Sequence, residues 1–454
     1  MSLSILFIQA CWAYSNLRAI LTPWIGYVGY AVFVVLCPQW NWRWGWDNSI
    51  DYQKFLAITT IIGTVLTGAF TNKISGISWK SIGAILLFLS LAYISSFQTI
   101  APRQTTFYMD KIWKIVLMCV LGILLIDDSK KLSWLVGLIV LAQAWNAFNI
   151  NELYYKWGIR VDNFTWNFND SNTYAVSTVT MMALSFAIML VYKNYWLRIC
   201  MGLIFVLQMH QIMILQSRGT MLGGIVLGVL GFLFMPKTKY AYQVFGVGLL
   251  CGVILAGPSV VEEFASSFSA EEELDSSAQS RFDIWKAGVR ITADNPILGV
   301  GPWAGQVLVP ELLGMHNTKT KSLHNLLFEM SAGCGVPAAT CYLAYFFLPW
   351  FVHLRYWLKG KITGDDHLLR TVNLATLCGI PGYWVASMFS AGALLEPSYI
   401  LVVCSCAACT ILEKRELGLD DDHHEDDIQE DLDSDSEMDE DFEEDQEQEL
   451  VANR

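Results

Sequence analysis

The chain has 454 residues, of which 54% are hydrophobic and only 16% charged. A soluble domain of this length needs far more charge to cover its surface, so a water-soluble globular class is excluded. The formal net charge of −13 divides between two chemistries: residues 416–454 hold 20 of the 42 acidic residues and one of the 29 basic ones, so the tail carries −19 and the rest +6.

In chain order, apolar runs predict membrane spans at about 3–17, 21–38, 53–71, 80–97, 111–127, 132–150, 172–192, 196–216, 219–236, 240–258, 323–352, 371–389 and 394–412. About 20 apolar residues cross a hydrocarbon core, and helices satisfy their own backbone there. The expectation is an all-α polytopic membrane protein of 12 or 13 spans. The expected divisions are a first bundle over 1–258, an extracytoplasmic loop with short helices over 259–322, C-terminal spans over 323–412, and an acidic tail over 413–454. The tail, from Asp420 to Glu449, reads as disordered.

Orientation follows the short-loop basic residues. One alternating set of loops carries Arg18, Lys73, Lys80, Lys130, Lys131, Lys193, Arg198, Lys237, Lys239, Arg355, Lys359, Lys361 and Arg370. That set is read as cytoplasmic, with the tail on the same side and the loop 259–322 opposite. The expected location is the cell's inner membrane. Gly224-x-x-x-Gly228 and Gly248-x-x-x-Gly252 suit close helix packing. The aromatic cluster Trp40, Trp42, Trp44 and Trp46 reads as an interfacial belt, with stacking on a sugar ring as the alternative.

The 11 cysteines sit in apolar segments and read as small hydrophobes. Neither a disulfide framework nor a metal site is expected, and no cofactor. His423-His424 among acids is a weak metal pattern in a solvated tail. No nucleic-acid partner is expected.

Charge at a membrane edge is costly, so each such residue needs a reason. Arg218, in Gln216-Ser217-Arg218-Gly219, stands between two apolar runs. Its planar fork suits a phosphate; an interface anchor is the plain alternative. Arg281 opens a helix expected from Ser280 to Ala293, in Ser280-Arg281-Phe282-Asp283-Ile284-Trp285, and Asn295-Pro296 ends it. Phe282, Trp285, Val289 and Ala293 form an apolar stripe there, expected against the membrane surface or the loop's own core. His324, in Ser322-Leu323-His324-Asn325, sits where the loop re-enters the membrane and suits proton transfer from a hydroxyl. His316-Asn317 competes for that role.

In this order the three sites resemble the O-antigen ligase and polymerase superfamily of membrane glycosyltransferases. The resemblance rests on Ser217-Arg218-Gly219, Arg281-Phe-Asp-Ile-Trp285, Asn295-Pro296-Ile-Leu-Gly299-Val-Gly301 and His324-Asn325 followed by Gly333-Cys334-Gly335-Val336-Pro337. The N-terminal half, through Pro38-Gln39-Trp40 and Asn167-Phe168-Asn169-Asp170-Ser171-Asn172, resembles the O-glycosylation ligases found beside exosortase systems. The resemblance implies a GT-C-like glycosyltransferase architecture. It implies transfer of a glycan from a polyprenyl-diphosphate carrier, such as undecaprenyl diphosphate, to an acceptor hydroxyl on a lipid core sugar, a glycan or a protein, without a required metal. Arg218 and Arg281 would then bind the diphosphate, and His324 would orient or deprotonate the acceptor. Arg290, Asn325, Arg160 and Lys321 would assist in substrate binding, with Lys319 a further cation. The other readings are a polymerase of the same superfamily, a lipid-linked glycan transporter or flippase, and a scaffold acting through the tail. The transporter reading looks for a broken helix, for which Pro381 is the candidate.

Overall fold

The predicted apolar runs are largely helical over their described residues. The computed structural model describes residues 3–157, 171–255, 276–315, 318–362 and 366–418, and no strand occurs among them. In chain order the helices are α1 (Leu3–Ala19), α2 (Pro23–Leu36), α3 (Pro38–Asn41), α4 (Tyr52–Thr67), α5 (Gly76–Ser96), α6 (Pro102–Leu125), α7 (Ser129–Trp157), α8 (Ser171–Val191) and α9 (Tyr195–Ile214). There follow α10 (Arg218–Phe234), α11 (Lys239–Leu255), α12 (Ser276–Asp294), α13 (Gly305–Leu312), α14 (Leu326–Cys334), α15 (Val336–Lys359), α16 (His367–Ser387) and α17 (Glu396–Glu416).

The helix ends follow local chemistry. Proline opens α2, α3, α6 and α15, where the missing N–H has no partner to lose. Asp51, Ser75, Asn194 and Asp366 cap α4, α5, α9 and α16 by accepting from backbone N–H groups. Six helices among the described residues are long and apolar enough to cross a membrane: Gly76–Ser96, Ser129–Lys156, Asn172–Val191, Tyr195–Ile214, Val336–Lys359 and Glu396–Glu416. Helix α10 is equally apolar but shorter. The all-α polytopic membrane class is therefore borne out.

The α8 span is buried along its whole length, as an all-round apolar helix should be. It packs against α9, α10 and α16. Small residues let α10 and α16 approach closely: a Cβ at Gly223 would stand 2.5 Å from the Gly382 carbonyl oxygen. This is a correction to the expected register. The packed face of α10 runs through Gly219, Gly223 and Gly231, whereas nothing lies within 4 Å of a Cβ at Gly228 or Gly248. Gly224 and Gly252 do meet neighbours, a Cβ there standing 3.1 Å from Ile212 Cδ1 and 3.7 Å from Met209 Sδ, so one glycine of each expected pair is packed.

Two further expectations change. The apolar run 323–352 is two helices, because Gly335 takes φ 88 and breaks the chain between α14 and α15. Helix α16 continues through Pro381 without a break.

Above the bundle end where α10 begins lies a second layer. Helix α12 packs against α13 and α14. Its core joins Ile284, Ala287 and Ile291 with Ala101, Val300, Ala304, Val309, Leu323 and Ala332. Helix α12 thus turns Ile284, Ala287 and Ile291 inward. Phe282, Val289 and Ala293 of the expected stripe are exposed, and only Trp285 of that stripe is partly buried. Both sets recur at helical spacing. The inward one is the set flanked by the small residues Ala287 and Gly288, which let α14 approach.

Candidate active site

The site is assembled from three backbone features. The first is the start of α10. Arg218 is its first residue, half-buried behind the buried Ser217, whose hydroxyl bonds Thr220 Oγ1 at 2.8 Å. Gln216, just before, holds φ 50. A helix N-terminus adds its partial positive charge to the guanidinium, so the pair favours an anion.

The second is α12, whose first turns carry Arg281. Trp285, one turn on, packs its ring 5.4 Å from Phe389. Phe389 in turn covers Gly219, where a Cβ would stand 2.4 Å from Phe389 Cβ. Gly219 follows Arg218 directly. One phenylalanine therefore separates the helix turn of Arg281 from the helix start of Arg218.

The third is the turn that holds His324. Leu323 and Phe328 close on Gly288 of α12, where a Cβ would meet both at about 3.1–3.2 Å. His324 itself takes the left-handed φ 45, with its N–H 3.4 Å from Ser322 Oγ. Asn325 is buried and caps α14, its Oδ1 accepting from Leu327 N at 3.0 Å and Phe328 N at 3.2 Å.

The Gly-x-Gly turn ties these parts to the bundle. Val300 and Gly301 N–H groups donate to Ala332 and Gly333 carbonyls at 2.9 Å each, and Val336 N donates to Pro296 O at 2.8 Å. From the other side Gln98 Nε2 donates to Gly299 O at 3.1 Å, Ser95 Oγ to Leu298 O at 2.6 Å, and Thr105 Oγ1 to Pro302 O at 2.8 Å. Gly299 and Gly301 have φ 64 and 109, and backbone or Thr99 stands within 2.5 Å of any Cβ there. Glycine is required on both counts.

The structure thus brings the turns of Arg218 and Arg281 to either side of Phe389 and packs the His324 turn on α12. Arg290 is exposed, nine residues along α12 on the far side from Arg281, and lies 3.9 Å from Asp294. Lys321 is half-buried, with its backbone N–H on Gln306 O. Arg160, the Asn167–Asp170 motif, His316-Asn317 and the acidic tail from residue 419 lie outside the described residues. Among the described residues no group of three or more His, Cys, Asp or Glu side chains converges.

The sequence reading missed Glu329. Helix α14 is too short to span and packs on α12, so this carboxyl belongs to the layer. Glu329 is buried, and its Oε1 accepts from Trp303 Nε1. Burial pushes it up to about 7, with the Trp303 bond acting the other way. A lone acid inside the apolar run Leu326–Met330 was the available signal. Phe389 and the Ser95–Thr105 latch had none, being distant in sequence.

The fold defines an all-α polytopic membrane protein. Residues 203–343, which span Arg218, Arg281 and His324, match the O-Antigen ligase family. The match supports the superfamily resemblance drawn from the motifs, and with it a membrane glycosyltransferase of ligase or polymerase type. No curated protein matches the chain.

Proposed function

We propose that the chain transfers a glycan from a polyprenyl-diphosphate carrier to an acceptor hydroxyl at the outer face of the cell membrane. The observation that carries this reading is the approach of the Arg218 and Arg281 turns around Phe389, beside the His324 turn. In the proposed reaction the acceptor oxygen bonds the anomeric carbon as the bond to the diphosphate oxygen breaks. The electron pair leaves with the diphosphate, whose charge Arg218 and Arg281 hold, and His324 takes the hydroxyl proton. A diphosphate is a good leaving group, so two guanidinium groups suffice as its electrostatic partners. Asn325 shapes the turn, and Arg290, Arg160 and Lys321 are secondary cations for the anionic donor. The acceptor is a lipid core sugar, a growing glycan or a protein, and the ligase reading covers all three. In a transporter of the same donor the carrier bond would survive; the unbroken α16 favours the transferase over that reading.

The test is glycan transfer in membranes supplied with polyprenyl-diphosphate-linked donor. Arg218→Ala, Arg281→Ala and His324→Ala should each cut transfer by about 100-fold or more, the range for loss of one preorganised charge partner. Transfer at the wild-type rate in the Arg281 and His324 variants contradicts the reading.

A further inference from the structure

A small cavity lies beneath the chain that carries His324. Its lining includes Trp303, Gly305, Gln306, Ser322, Leu323 and Glu329. Trp303 and His324, at the two sides of this region, are two of the four non-glycine residues at positive φ among those described, at 60 and 45. Such backbone costs of order 1–3 kcal/mol and persists only where the surroundings enforce it. At Trp303 the enforcement is visible: its indole donates to Glu329 Oε1, and its ring stacks on Phe107 at 5.5 Å and 12°. The other carboxylate oxygen, Glu329 Oε2, is buried and has no hydrogen-bond partner. An unmatched buried carboxylate oxygen is costly and calls for a reason.

We propose that Glu329 is a positioning residue of the transfer site: its carboxylate holds Trp303, and through it the Pro302–Trp303 turn, against the Ser322–His324 segment. This rests on the proposed transferase reading. Lys321 N–H on Gln306 O at 2.8 Å ties the same two segments from the other end of the cavity. A carboxylate accepts the indole N–H more strongly than a neutral amide does, which is the advantage of an acid here. The disadvantage is stability. Because burial raises the folded-state value to about 7 from 4.5, this group's contribution to stability is complete below about 4.5 and is lost as pH rises through about 7. The titratable groups that sense its charge are Tyr108 of α6, Cys334 of α14, Tyr383 of α16 and Tyr399 of α17.

The test compares Glu329→Gln, Trp303→Phe and wild type as full-length protein in lipid vesicles, with transfer kinetics and melting curves at pH 5.5 and pH 8. Glu329→Gln keeps an acceptor for Trp303 and removes the charge. It should melt higher than wild type at pH 8 and lose the wild-type fall in melting temperature between the two pH values. Its kcat should drop about tenfold, with the donor KM little changed. Trp303→Phe should show the same kcat loss without the gain in melting temperature. A Gln variant that melts below wild type at pH 8, or fails to fold, marks a structural role and overturns the proposal, as does a wild-type kcat. His324→Ala, assayed alongside, separates the two ideas. If it is inactive while Glu329→Gln is unaffected, this inference alone fails. If it transfers normally, the transferase site itself is wrong.

Discussion

Two histidines in this chain have opposite settings. His353, in α15, is fully buried and fully matched: Nε2 donates to Ser405 O at 3.1 Å, Nδ1 accepts from Asn373 Nδ2 at 3.0 Å, and Cys409 Sγ lies 3.6 Å away. It ties α15, α16 and α17 together. His324 is half-buried, holds left-handed backbone, and follows Ser322 and Leu323, which line a cavity. The contrast extends to their regions. The helices around α8 meet through glycines and small residues. The layer around α12 has a small core and two of the four non-glycine residues at positive φ among those described, Trp303 and His324, with Gln216 a third at the start of α10. Strain collects where geometry must serve chemistry, whereas His353 uses its polar atoms to join helices.

The largest effects should break this contrast most plainly. His324→Ala should abolish transfer yet leave the melting temperature near wild type. His353→Ala should do the reverse. It removes the bonds that tie α15 to Asn373 and Ser405 and leaves one Asn373 N–H unmatched, at about 1–3 kcal/mol for that buried group, and the surviving folded protein should transfer normally. Transfer rate per folded molecule and melting curves check both. Next, Gly299→Ala should cost more than about 1 kcal/mol and reduce transfer, because its Cβ would stand 2.4 Å from Gly333 O at φ 64. Phe389→Ala, which removes the spacer between the two arginine-bearing turns, should lower transfer at least about tenfold through misplacement. The smallest effect is expected at Arg290: its exposed contact with Asp294 at 3.9 Å contributes within about 0.5 kcal/mol, and Arg290→Ala should slow transfer far less than Arg281→Ala.

The two regions also differed in how legibly the sequence described them. Span positions follow from apolar runs between polar breaks, and α5, α7, α8 and α9 fall within a few residues of expectation, apart from the longer C-terminal end of α7. The Arg218, Arg281 and His324 motifs were visible because charge and glycine are conspicuous in apolar surroundings. Gly335 breaks 323–352 where Pro296 and Ile297 lie against it, and Gly335 and Pro337 are the local signal for that break. What depends on tertiary partners was not legible. The buried face of α12 is chosen by the small residues opposite α14. Glu329 looked like one acid in an apolar helix until Trp303, 26 residues earlier, was brought onto it.

In the proposed site Arg218 and Arg281 act on one anionic group. A double-mutant cycle with Arg218→Lys and Arg281→Lys, which keep charge but lose the planar fork, tests it most directly. With polyprenyl-diphosphate-linked donor, the account predicts strong coupling: the double variant should lose little more transfer than the worse single variant. A double variant whose loss equals the product of the two single losses would show that the arginines act independently, and would contradict a shared site.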